Sequence, residues 1–83
     1  MALFNLGRPN VAKLAGKGDV QGLIRALDYK KDPGVRMEAA RELGRFDDDR
    51  AVAALDACLD EAREPDARVR KAVAAALEQR KWY

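Results

Sequence analysis

Asp32-Pro33-Gly34-Val35-Arg36-Met37-Glu38-Ala39-Ala40-Arg41-Glu42-Leu43-Gly44 decides the fold of this 83-residue chain, because its key residues return. Val35-Arg36, Ala39-Ala40 and Leu43 recur 34 positions later as Val69-Arg70, Val73-Ala74 and Leu77, and each copy follows an aspartate, Asp32 or Asp66. Val35, Ala39 and Leu43 share one face of a helix. Asp32-Pro33 is a helix start: the carboxylate can accept from free first-turn N–H groups, and proline at the first helical position has no N–H to leave unpaired. A short helix pair cannot bury its apolar stripe alone, so repetition at this period predicts units stacked into a solenoid, an architecture that works as a binding surface.

Working outward, Asn10 is a good N-cap for a short leading helix in which Val11, Leu14 and Ala15 form the stripe and Gly16-Lys17-Gly18 ends it. Asp19 caps a second helix whose Val20, Leu23, Ile24 and Leu27 face inward while Gln21, Arg25 and Asp28 look outward. Gly44 near the end of the third helix is expected to take a left-handed turn that brings Phe46 back to the core. Asp47-Asp48-Asp49 opens a fourth helix with Ala51, Val52, Leu55, Cys58, Leu59 and Ala62 on its inner face. Arg63-Glu64-Pro65 breaks the chain, Asp66 caps again, and Val69, Ala72, Val73, Ala76 and Leu77 carry a fifth helix to about Arg80. Val20-Leu23-Leu27 matches Val52-Leu55-Leu59 at offset 32. The expected organisation is therefore one all-α domain: a leading helix at 10–18, a first helix pair at 19–46 and a second at 48–80, stacked as a right-handed solenoid fragment.

Composition narrows the function. The chain is 48% hydrophobic, mostly Ala, Leu and Val, and 36% charged, which suits amphipathic helices and excludes disorder. Its net charge of +2 falls short of a dedicated nucleic-acid binder. The sequence divides into +4 over residues 1–31, −5 over 32–62 and +3 over 63–83, a pattern that serves either solubility or end-to-middle association. Histidine, serine and threonine are all absent, so the usual hydrolase, kinase and transferase constellations cannot be assembled and no enzyme is expected. Neither a cofactor nor a metal site is expected: Asp47-Asp48-Asp49 lacks further ligands at EF-hand spacing and reads as helix capping, and Cys58 reads as a small core residue. A lone cysteine and an apolar opening (Met1 to Leu6) too short for a signal peptide or span place the chain by default in the cytoplasm.

The run from Asp32-Pro33-Gly34-Val35-Arg36 through Ala39-Ala40 and Leu43-Gly44 to Ala51-Val52, Leu55 and Leu59 resembles the HEAT-like repeat of the PBS-lyase type, in the ARM/HEAT α-solenoid superfamily. The second copy is looser, with Glu64-Pro65-Asp66-Ala67-Arg68 before Val69-Arg70 and Glu78 where Gly44 stands. The resemblance spans roughly residues 11–80 and implies a scaffold or interaction module; in the group that gives the type its name, such repeats occur in proteins that handle bilin pigments on phycobiliproteins. Arg36 and Arg70 lie in the first turn of their helices, where a cation gains nothing from the helix dipole, so another partner must explain them. The resemblance implies that they are rungs joining neighbouring repeats, with Asp32, Asp66 or Glu64 as acceptors.

The outward stripe of each second helix, Met37, Arg41 and Arg45 with Lys71, Ala75 and Gln79, is the candidate partner-binding face, for in solenoids of this kind second helices line the concave side. A flexible methionine among arginines suits an acidic, partly apolar peptide; an ordinary solvated face is the competing reading. Non-specific phosphate binding, an accessory role toward a pigment protein and self-association through open solenoid ends are the alternatives. Trp82 and Tyr83 are expected to fold over the end of the last helix.

Overall fold

Each helix of this chain begins behind an Asn or Asp side chain. In the computed structural model, which describes residues 8–80, Asn10 accepts from Lys13 N (3.1 Å) ahead of α1 (Val11–Gly16), and Asp19 from Gly22 N (2.8 Å) ahead of α2 (Val20–Ala26). Asp32 accepts from Gly34 N (2.8 Å) before α3 (Pro33–Leu43), Asp48 from Arg50 N (2.8 Å) before α4 (Asp49–Ala57), and Asp66 from Arg68 N (2.9 Å) before α5 (Ala67–Arg80). These bonds occupy first-turn donors that have no partner inside the helix, which is why the starts fall where the aspartates are. The leading helix ends as its glycines suggest: Gly18 turns with φ +69°, a conformation that costs a glycine little. Trp82 and Tyr83, and the opening Met1 to Leu6, lie outside the described residues.

The architecture is all-α. α2 pairs with α3 and α4 with α5, and the pairs stack so that α2 lies against α4 and α3 against α5; α1 packs on α2 and α3. The result is a slab of 41 × 28 × 16 Å. Leu23, Leu43, Leu55, Val69 and Val73 are fully buried at the meeting of the two pairs, with Val35, Ala39, Ala40 and Ala51 filling the narrower gaps. Burying one Leu or Val side chain contributes about 1.5–3 kcal/mol. Leu27, Val11 and Val20, nearly as buried, add to the core.

Two expectations from the sequence are corrected. Gly44 does not turn left-handed; its φ is −64°. A Cβ built on it would stand 2.8 Å from the Cβ of Ala76 and 3.1 Å from that residue's Cα and carbonyl oxygen, so glycine is required because α3 and α5 nearly touch there. The extent of the fourth helix's inner face also differs. α4 stops at Ala57 and Cys58 caps it, so Leu59 and Ala62 leave the helical stripe and lie exposed, while Val52 is half-buried; Ala51, Leu55 and Cys58 are the residues that reach the core.

Candidate functional site

The first turn of α3 holds a buried polar cluster. Val35 faces the core, which turns the next side chain, Arg36, along the seam between the two helix pairs. There its Nε donates to Glu64 Oε1 at 2.7 Å and its Nη2 to Glu64 Oε2 at 3.2 Å, a two-pronged ion pair with side-chain exposures of only 9% and 4%. Nη1 donates to the carbonyls of Tyr29 (2.8 Å) and Lys30 (3.1 Å), so the same guanidinium also fixes the loop before its own helix. Glu64 Oε2 accepts a further bond from Asp66 N (3.0 Å), and the Glu64 carbonyl accepts from Arg70 Nη1 (2.8 Å). No buried side-chain nitrogen or oxygen among the described residues lacks a partner, which is the condition under which a buried ion pair is tolerated.

Asp32 and Asp66 are engaged elsewhere. Asp32 caps α3 and pairs with Arg8 at 2.8 Å; the Gly34 N–H, and after it the Arg8 side chain, holds its carboxyl below the usual value. Asp66 pairs with Arg68 at 2.8 Å, and Asp48 with Arg50 at 2.8 Å. In both, the arginine side chain first and its backbone N–H second lower the carboxyl to about 2. At the other end of α5, Arg80 donates to the Phe46 carbonyl and approaches Asp47 (3.7 Å), fastening α5 to the turn that follows α3.

The caps give an acid-limb prediction. Asp48 and Asp66 titrate near 2 when folded against an ordinary 3.8, so their contribution is complete above about pH 4 and is lost as pH falls from 4 toward 2. The melting temperature should decline across that window. Because asparagine caps without titrating, Asp48→Asn with Asp66→Asn should flatten the decline; an acid limb as steep as the parent's would contradict the assignment.

The residues of the outward stripe lie on α3 and α5, which form the most extensive helix contact among the described residues. Arg41, Arg45, Lys71, Ala75 and Gln79 are exposed. Met37 differs from expectation: it is half-buried and packs against the core, so only part of its thioether chain is available to a partner. Arg45 reaches Glu42 at 3.8 Å with its side chain 68% exposed, a contact of little energetic weight. Arg41 and Lys71 make no ion pair among the described residues. The face therefore presents solvated cations beside small apolar side chains, suited to acidic groups.

Other reactive groups are quiet. Burial, ahead of all other causes, raises the Cys58 thiol above its ordinary value, leaving it protonated and packed in the core. Among the described residues no three of His, Cys, Asp or Glu converge, and no helix is long and apolar enough to cross a membrane.

Of the three acceptors expected for the repeated arginines, Glu64 is the one that meets Arg36, whereas Arg80 is a structural residue that the sequence does not single out. Glu64 falls in the loop between α4 and α5, which is longer than the loop between α2 and α3 and carries Pro65 beside it. Compared with known proteins, residues 1–78 match the family model described as HEAT repeats. No curated protein and no solved structure matches the chain.

Proposed function

Because the chain belongs to the HEAT-repeat family, whose repeats generally mediate protein–protein interaction, we propose that it is a non-enzymatic interaction module. Its partner is an acidic, partly apolar peptide lying along the outward faces of α3 and α5. The observation that carries this reading is that Arg41 on α3 and Lys71 on α5, two helices packed on each other, are both exposed and engaged in no ion pair among the described residues. Met37, Arg45, Ala75 and Gln79 complete the surface. α3 and α5 meet more extensively than α2 and α4 do, which supports an inner, concave position for the second helices.

Arg41→Glu and Lys71→Glu test it in a pull-down from the native host. Each reversal should remove the captured partner, while Arg25→Glu on the outward face of α2 should not. Retention of the partner by both variants would sink the assignment. Binding through phosphates of a nucleic acid would instead show a steep linear fall of log affinity with log salt.

The finer kinship with the PBS-lyase type rests on the Asp-Pro and Val-Arg spacing of residues 32–36. It supports common ancestry with pigment-handling accessory proteins without supplying residues for a pigment site. An unchanged bilin absorption spectrum on adding the protein is the result expected. A cytoplasmic location fits the single cysteine, which is buried and unpaired.

A further inference from the structure

The two helix pairs carry matching residues, and several of these are covered in the first pair but not in the second. Leu27 is 3% exposed and its counterpart Leu59 is 44% exposed. Ala40 is fully buried and Ala74 is exposed; Leu43 is fully buried and Leu77 only partly. Arg36 lies buried on a carboxylate, whereas Arg70 is half-buried and donates, among the described residues, only to the Glu64 carbonyl. What covers the first pair is the second, and nothing among the described residues plays that part for the second.

The chemistry of the missing cover can be read from the match. Arg36 donates to the carbonyl of Lys30, six residues before it, and Arg70 to the carbonyl of Glu64, six residues before it, so Lys30 and Glu64 are equivalent positions. The group facing Arg36 is Glu64 of the next pair. A second copy of this chain, stacked in the same register, would bring Lys30 against Arg70, one cation upon another. Its approach would also be obstructed by α1, which occupies the corresponding side of its first pair. Self-stacking in register is therefore disfavoured twice.

We infer that the outer face of the second helix pair, with Arg70 and Ala74 on α5 and Leu59 just beyond the end of α4, docks an amphipathic helical hairpin of a different protein whose inter-helix loop places an Asp or Glu carboxylate on Arg70. Glu78 stands where Gly44 lets α5 approach α3, so the incoming second helix lies farther from α5 at that end. This face is separate from the one that carries Arg41 and Lys71.

A photo-crosslinking side chain placed at position 74 of the full chain, expressed in its native host, tests the inference. The adduct is digested and the attached peptide identified by mass spectrometry. The expected peptide comes from another protein and lies in or beside an acid-containing loop between two amphipathic helices. Arg70→Glu should reduce the adduct about thirtyfold or more, while Arg41→Glu should leave it unchanged, which separates this face from the concave one. An adduct to this chain's own residues would overturn the inference. So would a yield no greater than from the same group at position 21, or an adduct indifferent to Arg70→Glu.

Discussion

Arg36→Ala should cost about 3–5 kcal/mol, because it strands the Glu64 carboxylate at 4% side-chain exposure without its counter-ion. A chain of this length is stable by roughly 4–12 kcal/mol at about 0.05–0.15 kcal/mol per residue, so the variant should be largely unfolded or melt tens of degrees lower. The twin substitution is the informative control. Arg70→Ala removes one bond to a carbonyl and no buried carboxylate contact, and should cost about 1 kcal/mol or less. Thermal or urea unfolding of both variants checks this. Equal losses at the two positions would show that Glu64 does not distinguish them.

The second large effect is at Gly44. Gly44→Val must place a Cβ within 2.8 Å of the Ala76 Cβ and 3.1 Å of its backbone, and backbone cannot rotate away as a flexible side chain can. α3 and α5 must separate, opening the interface that buries Leu43 and Val73. Such overpacking costs about 1–3 kcal/mol, and the extra γ-carbons add to it. Gly16→Ala is the contrast, since nothing lies within 4 Å of the added carbon and α1's last residue is helical. It should be neutral or stabilise by up to about 1 kcal/mol. If Gly44→Val melted with the parent, the close approach of the two helices would be wrong.

These two sites show what could and could not be read from the sequence. The helix starts were legible because capping is local: an aspartate and the N–H groups two or three residues on are enough to locate Asp19, Asp32 and Asp66 as caps. The inward stripes of α3 and α5 were legible for the same reason. Gly44 was misread because its neighbour is Ala76, a residue of the other helix pair, and glycine's two uses, turning and close approach, look alike in one dimension. Leu59 was misread because apolar periodicity continues past Ala57 with no glycine or proline to mark the stop. Which of the three expected acceptors, Asp32, Asp66 or Glu64, meets the repeated arginines depends on which carboxylate the loop before α5 brings inward. That loop brings in Glu64 and leaves Asp66 to Arg68.

The proposed function assigns stacking and recognition to different residues of the same helices. The repeated arginine of the first pair is consumed in holding the second, at a buried site a partner cannot reach. The exposed charges of the same helices, Arg41 and Lys71, are the ones assigned to a partner under the proposed function. Exposed ion pairs such as Arg63 with Asp28 (3.4 Å) cross the same seam at about half exposure and add little.

A double-mutant cycle on Arg36 and Glu64, read by urea unfolding of Arg36→Met, Glu64→Leu and the double variant, tests most directly that this pair locks the two repeats together. The account predicts that the double variant is more stable than the sum of the single losses implies, with a coupling of at least about 1.5 kcal/mol, because the apolar pair leaves no charge stranded. Losses that add to within about 0.5 kcal/mol would contradict it, and would remove the basis for expecting a carboxylate at Arg70.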